Sequence, residues 1–183
     1  MKTPITYYGG KQTMLKHILP LIPEHSVYTE AFCGGAAVLF AKEPAPCEVI
    51  NDINAEIINF YWMAKCYYPE LKTEIDQMLH SRYQHDHATY IYNNPALFKP
   101  AERACAFWFL TKTSFASKLN GTFGFDLKGG MPKRLRNAKD AFTEELCNRL
   151  EHVTIECQDA ISVIKRYDRP ETCLLYTSDA ADE

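Results

Sequence analysis

The sequence predicts an α/β protein built on a parallel sheet of the Rossmann type. Three short β-favouring runs are each followed by a helical pattern: residues 26–30 with 36–42, residues 47–51 with 55–66, and residues 153–157 with 159–165, where Asp159 is the predicted N-cap. Strands that alternate with helices are typical of parallel sheets, because parallel neighbours must be joined by a crossover. A long block between the second and third strands breaks the alternation. We interpret this block as an insertion.

Composition limits the class of protein. The chain has 183 residues, of which 46% are hydrophobic, and 20 Lys and Arg against 23 Asp and Glu give a formal charge of −3. Such a chain can bury a sizeable core and is too apolar for intrinsic disorder. No apolar run approaches the ~18 residues that a membrane span requires. The first residues also lack the apolar core of a secretory signal, so we expect a cytoplasmic protein.

The first strand leads into a glycine turn, and the second ends at an acid. Phe32-Cys-Gly34-Gly35 follows Glu30, and Asp52 closes the second strand 22 residues after Glu30. Ligands of parallel sheets bind at the carboxyl ends of the strands, where glycine permits close approach. An acid about 20 residues beyond such a turn is suited to ribose hydroxyls. The pair therefore predicts a nucleoside-bearing cofactor, although a glycine turn alone is often only a tight turn.

A third motif precedes the first strand. Tyr7-Tyr-Gly-Gly10-Lys11 opens a short helical pattern. The spacing G-x-x-x-x-G-K-[ST] of phosphate-binding loops is absent, so we reject an NTPase. The alternative to a ligand-binding role is a simple helix start with an exposed lysine.

The inserted block carries a concentrated positive charge. Residues 70–79 and 101–118 are predicted to be helical, and residues 112–139 contain seven Lys or Arg and one acid, Asp126. Four glycines and several aromatic residues lie in the same stretch, so we expect it to be rich in turns. Basic residues interleaved with aromatic ones make nucleic-acid binding as good an interpretation as a solvated basic loop. We interpret His85-Asp86-His87 as a solvated loop rather than a metal site, and five cysteines as core residues: Cys33, Cys47, Cys66, Cys105 and Cys157.

The last eleven residues have a different origin in our interpretation. Their sequence, residues 173–183, back-translates onto a transposon adapter used in sequencing libraries. We therefore expect the natural chain to end near Thr172, and we exclude residues 173–183 from the predicted fold. The alternative is a natural C-terminal tail. The predicted organisation is then a cofactor-binding first half at 1–67, an inserted subdomain at 68–138, and a return to the first domain at 139–172.

Three motifs in this order resemble one known family. Tyr7-Tyr-Gly-Gly-Lys11, Thr29-Glu-Ala-Phe-Cys-Gly-Gly-Ala36 and Asn51-Asp-Ile-Asn54 are similar to the opening motifs of Dam-type DNA adenine-N6 methyltransferases. The resemblance runs from residue 4 to about 172. It implies S-adenosylmethionine as cofactor, double-stranded DNA as partner, and a bacterial or phage-infected cell as the setting. We expect a monomer without a metal. Ala36 and Ala31 depart from the pattern, where many relatives have glycine and proline.

The resemblance also implies roles for individual residues. The expected cofactor-binding residues are Tyr7, Gly10, Lys11, Glu30, Phe32, Gly34, Asp52 and Asp159, with Asp52 on the ribose and Asp159 near the adenine. The inserted block would be the target-recognition subdomain. Its expected DNA-binding residues are Phe115, Lys118, Asn120, Lys128, Lys133, Arg134 and Arg136.

One expected motif is missing. The family's catalytic Asp-Pro-Pro-Tyr motif should follow Asp168-Arg-Pro-Glu-Thr172, where the adapter-like tail begins. We therefore assign no catalytic residue and expect the chain as written to be inactive. The alternatives are a non-catalytic protein that binds cofactor or DNA, and an RNA or small-molecule methyltransferase on the same fold.

Overall fold

A four-stranded sheet forms the centre of the computed structural model, which describes residues 1–176. All its strands are parallel, in the order β3-β2-β1-β4. The strands are β1 Val27–Glu30, β2 Cys47–Asn51, β3 Val153–Glu156 and β4 Thr172–Leu175. The predicted Rossmann-like parallel sheet is therefore confirmed.

Helices cover the sheet and form the inserted block. Their bounds are α1 Leu15–Ile18, α2 Ala37–Ala41, α3 Ala55–Cys66, α4 Tyr68–Gln77, α5 Arg82–Asn93, α6 Pro100–Thr113, α7 Gly130–Asp140, α8 Glu144–Asn148 and α9 Ala160–Tyr167. Short 3₁₀ segments lie at Lys11–Met14, Leu19–Leu21, Pro95–Leu97 and Phe115–Ser117. Within residues 1–176, no helix is long and apolar enough to cross a membrane.

The strand order creates a switch point at β1. The chain proceeds outward from β1 through β2 to β3 and then returns to place β4 on the other side of β1, with Glu30 in register with Ile50 and Leu175. When the strand order reverses in this way at a central strand, a crevice opens at the carboxyl end of that strand. The fold thus offers a ligand site beside the turn that follows Glu30.

Helix α6 joins the inserted block to the sheet. Residues Ala104–Thr111 are buried without interruption, because α6 packs against α3 and α5. Phe60 of α3 lies 6.1 Å from Phe107 and 5.9 Å from Phe142 between ring centroids, within the range of favourable aromatic pairs. The inserted helices therefore share one continuous hydrophobic core with the sheet.

Two parts of the insert differ from the prediction. The expected loop at His85-Asp86-His87 is wrong, since these residues lie in α5, whose buried face consists of His85, Ala88 and Ile91. Because most residues of α5 are polar, the spacing of three between its buried residues does not stand out in the sequence. The helix expected over 101–118 ends at Thr113, because Ala116 and Ser117 adopt left-handed backbone with φ of 54° and 56°. The stretch expected to be rich in turns contains helix α7.

Other corrections concern cysteines and the last strand. Cys33 and Cys105 are buried as predicted, whereas Cys47, Cys66 and Cys157 are exposed, because apolar neighbours in sequence do not decide which side of an element faces the core. Residues 173–175, which we excluded, form most of β4 beside β1. A short run of Cys and Leu suits that position beside β1. Residues 177–183 of the adapter-like tail lie outside the described residues.

Candidate cofactor site and basic surface

A cavity of about 930 Å³ lies at the carboxyl ends of β1 and β2. This volume is in the range of sites for small molecules and cofactors. The cavity brings together six of the predicted cofactor-binding residues: Tyr7, Gly10, Lys11, Phe32, Gly34 and Asp52. Segments far apart in the chain thus converge where the strand order predicts a ligand.

The turn after β1 depends on glycine. Gly34 has φ of +47°, and a Cβ there would lie 3.1 Å from Cδ1 of Tyr7. A Cβ at Gly10 would lie 2.8 Å from the carbonyl oxygen of Tyr7. Glycine at position 34 therefore keeps the ring of Tyr7 against the turn, and glycine at position 10 leaves room for the Tyr7 carbonyl oxygen. Ala36, where the resembled family often has a third glycine, is also left-handed with φ of +46°.

Asp52 ties the two strand ends together. Its Oδ2 accepts a 2.9 Å hydrogen bond from the Gly34 N–H, and its Oδ1 accepts one of 2.9 Å from the Asn54 N–H. Burial raises the pKa of Asp52, while these hydrogen bonds and the charge of Lys11 act in the opposite direction. Each carboxylate oxygen keeps a further lone pair, so Asp52 can still accept two hydroxyl donors from a ligand.

Glu30 lies beneath the site rather than in it. Its side chain is 1% exposed, and its Oε1 accepts hydrogen bonds from the Tyr28 hydroxyl at 2.9 Å and the Leu39 N–H at 2.8 Å. Oε2 of Glu30 has no hydrogen-bond partner among the described residues. Burial raises the pKa of Glu30 to about 6, against the hydrogen bond from Tyr28 and the positive charge of Lys11. The structure therefore does not bring Glu30 into the cavity lining, because β1 buries its last side chain.

Asp159 is likewise outside the cavity lining. Its Oδ2 accepts a 3.0 Å hydrogen bond from the Ser162 N–H, so it caps α9 as the sequence predicted. The carboxylate of Asp159 is thereby committed to the helix N-terminus, one strand away from β2.

A loop of the insert borders the same cavity. Lys118 and Asn120 are among the lining residues, and Lys118 Nζ lies 4.7 Å from the ring centroid of Tyr8. Phe115 is not among the lining residues and is 70% exposed. At the base of the loop, the Gly124 N–H donates to the Thr113 carbonyl at 2.7 Å. The predicted DNA-binding loop therefore stands at the rim of the predicted cofactor site.

The remaining predicted DNA-binding residues form an exposed basic surface. Lys128, Lys133, Arg134 and Arg136 are all exposed, while Leu135 anchors α7 in the core. We call the exposed cations Lys118, Lys128, Lys133, Arg134 and Arg136 the basic surface. Two further lysines of the stretch are engaged elsewhere. Lys112 donates to Thr6 Oγ1, and Lys139 donates to the carbonyl groups of Asp76 and Met78.

The only acid of the basic stretch has a structural task. Asp126 accepts hydrogen bonds from the N–H groups of Lys128 at 2.7 Å and Gly130 at 2.9 Å, and from that of Met131 at 2.6 Å. These bonds lower the pKa of Asp126 and hold its charge at the start of α7. The carboxylate of Asp126 is thus used at the start of α7, and the five cations of the basic surface are exposed.

Comparison with known proteins identifies the family. The family described as "D12 class N6 adenine-specific DNA methyltransferase" matches residues 7–177, nearly the whole chain. The chain belongs to this family. It is also 45% identical over 58 residues to "Type II methyltransferase M1.LlaDCHI" of Lactococcus lactis subsp. cremoris. That match covers 31% of this chain and one fifth, 20%, of the relative.

The cavity of this D12-class chain fits the family's methyl donor, S-adenosylmethionine. Phe32 and Tyr7 supply aromatic surface, Asp52 supplies hydrogen-bond acceptors, and Lys11 supplies a cation. Gly34 has no side chain, and a Cβ there would press against the ring of Tyr7. At this position the turn therefore adds no side chain to the cavity.

The D12-class cavity also contains residues that the sequence did not reveal. Six of them lie within the three quoted motifs but had no individual role predicted: Tyr8, Gly9, Cys33, Gly35, Ile53 and Asn54. Four lie outside the motifs: Ala37, Tyr92, Ser117 and Leu119. Asn54 had a local signal, because Asp-Ile-Asn before an apolar helix places an N-cap beside the acid. Tyr92 had none, since no pattern in α5 indicates that its end meets the sheet.

Proposed function

We propose that this chain binds S-adenosylmethionine and duplex DNA as part of a site-specific DNA adenine-N6 methyltransferase. The carrying observation is that Tyr7, Lys11, Phe32, Gly34 and Asp52 converge on one cavity at the carboxyl ends of β1 and β2. These residues come from three sequence motifs that define the resemblance. Family membership and the cavity support the proposal together.

In the proposed complex, each lining residue has a distinct task. Asp52, oriented by the N–H groups of Gly34 and Asn54, accepts the ribose hydroxyls. Tyr7 and Phe32 enclose apolar parts of the cofactor, and Lys11 pairs with its carboxylate. The bound cofactor supplies a methyl group on a sulfonium, which is electrophilic without a metal.

DNA would approach across the basic surface. Its cations can neutralise phosphates along the duplex, and such contacts fix position without reading sequence. The exocyclic amine of adenine is inaccessible inside a stacked duplex, so the target base must leave the helix. Lys118 and Asn120, at the cavity rim, would meet the strand that carries this base.

We further propose that the chain as written binds both ligands without transferring a methyl group. No Asp-Pro-Pro-Tyr sequence occurs in its 183 residues. That motif would supply the groups which orient the amine and stack on the flipped base. A second candidate is a non-catalytic protein that binds cofactor and DNA.

Calorimetric titration with S-adenosylmethionine tests cofactor binding. Asp52→Ala should weaken binding by about 1 to 3 kcal/mol, because hydrogen bonds to a charged acceptor are lost. Asp168→Ala, an exposed acid away from the cavity, is the matched control. Absence of binding by the unmodified chain, or unchanged affinity in Asp52→Ala, would overturn the proposed ribose contact.

Competition and transfer assays separate the candidates. The chain should prefer duplex DNA to RNA of equal length and sequence, and it should transfer no labelled methyl group. Preference for RNA would favour the RNA methyltransferase. Labelled N6-methyladenine in DNA would refute the proposed inactivity.

A further inference from the structure

The inserted block reaches the cofactor cavity through a side chain at the end of α5. Tyr92 lines the cavity, and its hydroxyl accepts a 3.2 Å hydrogen bond from Nδ2 of Asn54. The ring of Tyr92 packs against Phe107 of α6, with 6.4 Å between centroids. Since α6 belongs to the continuous core, the phenol is presented from a fixed support.

Asn54 is oriented by a second, independent requirement. Its Oδ1 accepts a 3.0 Å hydrogen bond from the Glu56 N–H and so caps α3. With the oxygen of the carboxamide used at the helix, its NH₂ group faces Tyr92. The backbone N–H of Asn54 donates to Oδ1 of Asp52 at 2.9 Å. Asn54 therefore links the insert, through its side chain, to the carboxylate at the end of β2, through its backbone N–H.

We propose that Tyr92 is a positioning residue for the cofactor, whose hydroxyl fixes Asn54 and thereby the Asp52 carboxylate that receives the ribose. This inference rests on the proposed function. Asp52 is held from two sides, by Gly34 in the turn after β1 and by Asn54 in the loop after β2. Without the Tyr92 hydroxyl, the Asn54 side chain is held, among the described residues, only by its bond from the Glu56 N–H, so the loop that donates to Asp52 is less firmly fixed. The insert thus contributes to cofactor affinity as well as to the basic surface.

Tyr92→Phe is the informative variant, because it keeps the ring on Phe107 and removes only the hydroxyl. Tyr90→Phe is the matched control, on the same helix and 54% exposed. The ligands are adenosine and 2′,3′-dideoxyadenosine, which differ only in the ribose hydroxyls. Tyr92→Phe should bind adenosine about fivefold more weakly, the size of one neutral hydrogen bond, and dideoxyadenosine with unchanged affinity. Equal losses for both ligands would show a merely structural role and overturn the inference.

Hydrogen exchange provides a readout that needs no ligand. The Asn54 N–H should exchange about fivefold faster in Tyr92→Phe than in the unmodified chain, and Tyr90→Phe should show no change. Unchanged exchange would overturn the inference and leave the proposed function intact. If the unmodified chain binds neither S-adenosylmethionine nor adenosine, the proposed function fails. Faster exchange would then mark Tyr92 as a structural brace only, which also overturns its cofactor role.

Discussion

Replacing Glu30 by Gln should change how the stability of the protein depends on pH. Glu30 is 1% exposed, and burial raises its pKa from 4.5 to about 6. A carboxyl group whose pKa is higher in the folded state stabilises the fold when protonated. Its contribution is complete below pH ~4.5 and is lost as the pH rises towards ~6. A shift of about 1.5 pH units corresponds to roughly 2 kcal/mol.

Gln preserves the contacts that Glu30 makes. Its Oε1 can accept from the Tyr28 hydroxyl and the Leu39 N–H, while its NH₂ takes the place of Oε2, which has no partner among the described residues. The difference in unfolding free energy, Gln variant minus unmodified chain, should therefore grow by about 2 kcal/mol between pH 4 and pH 7. Other titrating groups cancel in this difference.

Urea denaturation at half-unit pH steps measures the effect, with the midpoint and slope fitted at each pH. A difference that stays constant across this range would refute the reasoning, because it would mean that Glu30 titrates alike in the folded and unfolded states. A difference that grows towards low pH would show that the hydrogen bonds outweigh burial.

Three further predictions concern charge and backbone. Glu48→Gln should destabilise the fold by about 3 to 5 kcal/mol in urea denaturation, because it leaves the buried cations of Lys42 and Arg149 without their carboxylate; a loss below 1 kcal/mol would contradict this. Ala116→Gly should raise the free energy of unfolding by about 0.5 to 1 kcal/mol in the same assay, because Ala116 is exposed and has a left-handed φ of 54°. Ala138→Gly within α7 is the control and should lower the free energy of unfolding, because glycine weakens a helix. The third change replaces the exposed cations of α7 by Gln, at Lys133, Arg134 and Arg136. It should reduce the slope of log K against log salt concentration for DNA binding by up to about 3. An unchanged slope would mean that DNA does not bind along α7.

The features that were predicted correctly are those that depend on short patterns in the sequence. The first three strands were predicted within one residue of their observed ends, because short apolar runs closed by glycine or an acid have few alternatives. The glycine turn and Asp52 were predicted to share a site, since carboxyl ends of neighbouring parallel strands meet. Asp159 was predicted as an N-cap and accepts from the Ser162 N–H.

What the sequence did not predict depends on contacts between distant segments. Tyr92 meets Asn54 only because α6 carries α5 against the sheet. Lys112 looked like one more exposed cation, yet burial lowers its pKa to about 7 and its ammonium group donates to Thr6. Helix α5 was not predicted because its buried side includes a polar residue, His85. The Nε2 atom of His85 lies 3.0 Å from Oγ of Ser114, and this hydrogen bond allows the imidazole to be buried.

The order β3-β2-β1-β4 has a consequence for synthesis on the ribosome. One edge of β1 is paired only by β4, and Thr172 follows Glu30 by 142 positions in the chain. At about 5 to 20 residues per second, that edge waits roughly 7 to 28 s for its partner. During this interval its backbone N–H and C=O groups are open to pairing with other chains. The nascent protein is therefore most exposed to aggregation after its cofactor-binding motifs have already been made.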